Sequence, residues 1–180
     1  MARLPIRTFG DPVLRERARE VEEITDIHRR LVDDMIETMR EAPGVGLAGP
    51  QVGVLERVFV WEVDGRHGAV FNPAIVRRSP EKATDEEGCL SVPGLTYPVE
   101  RHAHVAIEGM DEHGVPVSME ADDLLARVFQ HEIDHLDGIL FLDRLPDDLR
   151  RHAMRTLRES LLGLSEPPIP AREVPREEAL

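Results

Sequence analysis

The chain has 180 residues, with 22 Lys or Arg against 35 Asp or Glu and a formal net charge of −13. So acidic a chain argues against general nucleic-acid binding, which needs a basic surface. No apolar run approaches the roughly 18 residues of a membrane helix, and the lone cysteine, Cys89, leaves no internal disulfide to form. Residues 1–20 mix Arg and Glu and do not read as a secretory leader, so a cytoplasmic location is expected.

The first predicted helix runs over residues 26–40, capped by Thr25 or Asp26. Its stripe is Ile27, Leu31, Met35 and Met39, widened by Val32 and Ile36. Ala42-Pro43-Gly44 ends it, and a Gly-rich turn leads to Gly53. Residues 57–63 are rich in Val and aromatics and read as a strand. Short strands follow at 69–71, 74–77, 97–99, 104–108 and 115–119, with a hairpin turn at Asp111-Glu112-His113-Gly114. A second helix is predicted over 121–136, with Gly138 as its stop. A third spans 147–162 and would pack through Leu149, Ala153, Leu157 and Leu161. From Gly163 onward there are four prolines and four acids, the composition of a disordered tail. There is no internal repeat. The expected domain is therefore 1–162. Runs of strands with helices at both ends predict an α+β fold, with short, mostly antiparallel strands around the second helix.

That second helix carries His131-Glu132-Ile133-Asp134-His135. Residues four apart share a helix face, so both imidazoles reach one metal ion, and Glu132 lies near enough to take a proton from water beside it. Leu124 and Val128 continue the same stripe, which is expected to point into the core, where two histidines need a reason to be. An open catalytic site needs a third protein ligand. Cys89, in Glu87-Gly88-Cys89-Leu90-Ser91, is the next candidate, although a lone cysteine is more often an inert core residue. Gly44 to Gln51 contains G-x-G-x-x-G, with Asp64 at a strand end beyond it. A dinucleotide site fails there, because a helix precedes the glycines and a strand follows them, the reverse of what a pyrophosphate seat requires.

Taken in order, Gly44–Gln51, Glu87–Ser91 and Gln130–His135 resemble the three marks of the peptide deformylase family: a G-Φ-G-Φ-A-A-x-Q loop, an E-G-C-L-S segment and a Q-H-E-x-D-H helix. The similarity extends over residues 4–162. It implies a metal held by Cys89, His131 and His135, usually Fe(II), with Ni(II), Co(II) or Zn(II) as substitutes. It implies Glu132 as general base and then general acid, and Gln51 with the Leu90 N–H as oxyanion donors. The implied substrate is the N-formyl-methionyl end of a nascent polypeptide, lying as an added strand along Val45, Gly46 and Gly88, with Val128 walling the methionine pocket. Arg101 matches a position near the substrate groove. One thiolate and two neutral imidazoles leave a divalent ion a net charge of about +1, enough to acidify water.

Two positions depart from the pattern. Gly49 replaces an Ala and is expected to loosen the loop around Gln51. Arg127 stands where an apolar residue is usual and is expected to narrow the pocket or meet peptide beyond the methionine. Arg150, Arg151, Arg155 and Arg158 on the third helix read first as a solvated face. Ribosome docking, which the resemblance brings with it, is the second reading. The rival activities are hydrolysis of another small N-acyl group, an H-E-x-x-H endopeptidase with Glu159 as third ligand, and a metal-stabilised binding module without turnover.

Overall fold

A computed structural model describes residues 2–164. The first helix, α1 (Asp26–Glu41), starts where the Thr25 N–H meets His28 Nδ1 at 3.0 Å, which satisfies a backbone donor at the helix start. Its apolar packing begins only at the second turn. Leu31, Val32, Met35, Ile36 and Met39 join Leu47, Val58, Val60 and Phe71 in one apolar cluster, whereas Ile27, expected at the head of this stripe, is 74% exposed.

The Gly-rich segment is more than a turn. Gly46–Ala48 forms β1, and residues 49–52 make one 3₁₀ turn closed by Gly53 at φ 82°. β1 pairs antiparallel with β2 (Val58–Val63), which pairs in turn with β3 (Arg66–Arg78). The connecting Asp64-Gly65 has φ of 52° and 73°, the left-handed pair that a two-residue hairpin needs. Two predicted strands, 69–71 and 74–77, are thus one strand interrupted by a bulge. The register slips between Phe71 and Ala74, where Pro73 offers no ladder donor. The Asn72 amide turns aside and bonds both the N–H and the C=O of Val21, each at 2.8 Å.

β6 (His104–Met110) and β7 (Pro116–Asp122) complete an antiparallel sheet of order β1-β2-β3-β6-β7. β4 (Lys82–Cys89) and β5 (Val92–His102) form a separate antiparallel ribbon. The sequence pattern shows only 97–99 of β5 and nothing over 82–86. β4 is exposed along most of its length and so lacks the apolar alternation by which strands are recognised.

α2 (Asp123–Leu136) lies between sheet and ribbon and is buried at every position from Leu125 to Leu136. Its surface divides into three stripes. Leu125, Ala126, Phe129, Ile133 and Leu136 pack on Phe59, Trp61, Val70 and Ile107 of the sheet, with the Phe129 ring edge-on to Trp61 at 5.6 Å. Arg127, Gln130 and Asp134 hydrogen-bond the ribbon. Val128, His131, Glu132 and His135 occupy the remaining stripe. α3 (Asp147–Leu161) closes the ribbon's other side through Ala153 and Leu157, with Leu149 half-covered. Leu161, expected to pack, is 71% exposed because the cluster beneath this helix ends at Leu157. Most of the predicted tail, residues 165–180, lies outside the described residues.

Candidate active site

The end of β4 brings Cys89 against α2, whose His131 and His135 stand one turn apart. Cys89 Sγ lies 3.2 Å from His135 Nε2, and the two Nε2 atoms are 3.2 Å from each other. All three donor atoms fall within 4.8 Å of one another. Two ligand atoms bound about 2 Å from one ion at a tetrahedral angle stand about 3.3 Å apart, so this spacing, with a thiol and two imidazoles as donors, fits a divalent transition metal.

The outer nitrogen of His131, Nδ1, meets Glu87 Oε1 at 2.5 Å. That contact leaves the Nε2 lone pair turned toward the cluster. Glu87 is itself enclosed by Arg101, with Nη2 at 2.6 Å from Oε1 and Nε at 3.1 Å from Oε2, and by Arg127 Nη1 at 3.0 Å from Oε2. Burial pushes the Glu87 carboxyl up, but the bonds from His131 and Arg101 outweigh it and hold the group far below the usual carboxylate range. Arg101 continues to Asp134 at 2.6 Å, and Asp134 to Arg144 at 2.6 Å. The pairing is what makes so many buried charges tolerable.

Glu132 is buried, and its Oε2 has no hydrogen-bond partner among the described residues. Burial, the largest influence, pushes its carboxyl up to about 7. The carboxylate presses on β1. A Cβ built on Gly46 would overlap Glu132 Oε1 and come within 2.8 Å of its Cδ. Beside these groups opens a cavity of about 630 Å³, a size suited to a small extended ligand.

Val45, Gly46, Gln51, Gly88, Leu90 and Val128 all line this cavity. Two expected positions differ. Leu124 also lines the cavity, but at its rim, 49% exposed rather than in the core, because it lies in the first turn of α2. Arg101 is absent from the lining; it is buried behind Glu87, where its charge is neutralised by Glu87 and Asp134. Arg127 borders the cavity, but its guanidinium is turned away to Glu87, Val99 O and Ala83 O. Glu159 sits on the exposed face of α3, outside the donor cluster, which removes it as third ligand.

Gln51 is held at both ends of its amide. Oε1 accepts the Ala48 N–H at 2.8 Å, and Nε2 donates to Ser91 Oγ at 3.2 Å and reaches Cys89 Sγ at 3.6 Å. The loop is not loosened by Gly49. A Cβ there would stand 2.7 Å from Val54 O and 2.8 Å from Glu56 O, so the glycine permits a closer fold of residues 49–56. Gly49→Ala, which restores the commoner residue, is expected to cost about 1–3 kcal/mol through overpacking against backbone. The measurement is the urea midpoint at unchanged m-value.

The sequence alone assigns no role to Glu87, Ser91, Asp134 or Arg144. For Glu87 the signal is its place in the E-G-C-L-S segment, two residues before the cysteine. Asp134 stands inside the Q-H-E-x-D-H mark, but the sequence shows neither its partners nor those of Arg144, since these lie on other elements.

A sheet-and-ribbon frame that delivers an H-E-x-x-H helix to the cysteine at a strand end is the architecture of a metal-dependent hydrolase of small amides. The profile of the polypeptide deformylases matches residues 3–151, and the chain belongs to that family. It is 53% identical to the peptide deformylase of Acidothermus cellulolyticus over 160 residues, 89% of this chain and 88% of the relative. It is 46% identical to peptide deformylase 1 of Corynebacterium glutamicum over 164 residues, 89% of this chain and 97% of the relative. The crystal structure of the Thermus thermophilus peptide deformylase superposes with a TM-score of 0.84 at 48% identity, covering 89% of this chain and 96% of that one. That of Synechococcus elongatus, in complex with actinonin, gives 0.82 at 40% identity over 86% of each chain. The protein is thus an enzyme that removes the N-formyl group from nascent polypeptides in a metal-dependent reaction.

Proposed function

We propose that Cys89, His131 and His135 hold the catalytic ion, that this ion is Fe(II) in the cell with Ni(II), Co(II) or Zn(II) able to replace it, and that Glu132 moves the proton. The observation that carries this reading is the meeting of three donor atoms within 4.8 Å beside the unpartnered Oε2 of Glu132. When bound, the ion supplies Lewis acidity for the water and the formyl carbonyl. The choice of iron rests on the family resemblance, with a mixed thiolate–imidazole set compatible with all four metals.

Glu132 accepts a proton as the water oxygen bonds to the formyl carbon, then returns it to the amine nitrogen as the C–N bond breaks. Formate leaves, with a free methionyl amine. A carboxyl raised toward neutrality suits both transfers. Gln51 Nε2 and the Leu90 N–H donate to the oxyanion as it develops. The backbone of Val45, Gly46 and Gly88 pairs with the extended peptide, and Val128 walls the methionine side chain. Arg101 acts through Glu87 and does not touch the peptide.

The setting of this reaction is the cytoplasm, where nascent chains emerge. Ribosome docking through α3 belongs to the same reading. Arg151, Arg155 and Arg158 make no ion pair among the described residues, and with the part-exposed Met154 they line one shallow concavity. Changing these three arginines to Glu is expected to slow deformylation of ribosome-bound chains several-fold and to leave free-peptide rates unchanged. Equal rates on both substrates would mark a merely solvated face.

The substrate assignment is tested by incubating metal-loaded protein, purified without oxygen, with N-formyl-methionyl and N-acetyl-methionyl tripeptides. Formate release alone is expected. Acetate release at a comparable rate would assign a broader N-acyl hydrolase, and cleavage of an internal bond an endopeptidase.

A further inference from the structure

The donors for the ion come from two separate parts of the fold. His131 and His135 stand on α2, whereas Cys89 ends a ribbon that forms its own sheet apart from the five-stranded one. The spacing of thiol and imidazoles therefore depends on what ties the ribbon to the helix. Besides His131, which bonds Glu87 of β4 directly, three residues of α2, at i, i+3 and i+7, make that tie. Gln130 pairs with the His102 N–H at 3.1 Å and its C=O at 2.9 Å, and Asp134 takes Arg101 at 2.6 Å. Both of these grip β5 only.

Arg127 is the member that reaches both strands. Its Nη1 donates to Glu87 Oε2 at 3.0 Å and to Val99 O at 2.8 Å, and its Nη2 donates to Ala83 O at 3.0 Å. Ala83 and Glu87 lie on β4, the strand that ends in Cys89, and Val99 lies on β5. The side chain is buried, so these bonds do not compete with bulk water. Glu87 spends its other oxygen on His131 Nδ1 at 2.5 Å. One guanidinium thus steadies the carboxylate that orients a histidine and the strand that carries the cysteine.

We propose that Arg127 is a positioning residue for the metal centre, holding the Cys89 strand in register with His131 and His135 and fixing Glu87 against His131. The proposal rests on the ligand assignment above. A planar fork is required: three acceptors around two nitrogens match a guanidinium and not the single point of an ammonium. Groups in this position support metal affinity or activity by about 10- to 100-fold.

The test compares wild type, Arg127→Met and Arg127→Lys, each loaded with Co(II). Ion loss to excess EDTA, the Co(II)–thiolate charge-transfer band, kcat and KM on a short N-formyl-methionyl peptide, and the unfolding midpoint are all read. Arg127→Met is expected to lose Co(II) about 10- to 100-fold faster, with a shifted or weakened band and a lower kcat at nearly constant KM. Arg127→Lys is expected to fall between. Wild-type ion loss and band with only KM raised would make Arg127 a pocket wall and overturn the proposal. So would a lowered unfolding midpoint with ion loss, band and kcat unchanged. If Arg127→Met does not fold, Arg127→Lys decides by the same two metal readouts. A wild-type protein that binds Co(II) without a thiolate band would instead refute the ligand assignment on which the proposal rests.

Discussion

Glu132→Gln is expected to keep its ion and lose turnover. The amide matches the carboxylate in size and leaves Cys89, His131 and His135 untouched, but it cannot accept a proton. General acid–base catalysis contributes typically about 10²–10⁴-fold, and Glu132 serves both transfers, so kcat should fall toward the upper end of that range. Metal analysis of the same sample should give the wild-type content. A variant that keeps more than about a tenth of wild-type kcat would place the base elsewhere. A companion change approaches the same group from the opposite side. Gly46→Ala puts a methyl into the space of the Glu132 carboxylate, and displacement of this kind is expected to cost about 10²-fold in kcat, again with the ion retained. Steady-state kinetics on a formyl-methionyl tripeptide measures both.

Cys89→Ala is expected to fail differently, losing the ion itself. Two imidazoles remain, and a catalytic site of this type takes three protein ligands. The variant should emerge from dialysis with well under one ion per chain and with turnover near background. Chelation of the wild type should have the same effect, reversed by adding metal back under anaerobic conditions. Stability provides an independent reading. An ion that binds only the folded state raises the unfolding midpoint, so chelation should lower the midpoint of wild type and leave that of Cys89→Ala unmoved. A chelator-dependent midpoint in Cys89→Ala would mean that the metal is held without the thiol.

The parts of the site that were legible from sequence are those encoded locally. The two histidines and Glu132 lie within five consecutive residues, and helical spacing alone brings them together. Cys89, which alone reads as a core cysteine, becomes a ligand candidate in their company and through its neighbours, since Glu86 and Glu87 are too polar for a core strand and Gly88 permits close approach. The three helices were legible from their apolar stripes, yet the stripes overreached at Ile27, Leu124 and Leu161, each near a helix end beyond the packed region. β4 was invisible because its residues are polar on both faces. The place of Arg101 near the groove comes from the resemblance alone, and only the fold shows two carboxylates, 14 and 33 residues away, closing on it. Gly49 reads as looseness in the sequence because the backbone it approaches, Val54 and Glu56, lies across a turn that composition does not describe.

The central claim is that one ion sits between Cys89, His131 and His135 in a protein that releases formate. Anomalous diffraction from crystals of a Ni(II)-loaded preparation, first shown to deformylate a formyl-methionyl peptide, tests it directly. The account predicts one strong peak at the nickel edge, bonded to Cys89 Sγ and to Nε2 of both histidines. A fully active preparation whose peak lies elsewhere, or whose ion is held without Cys89, would contradict it.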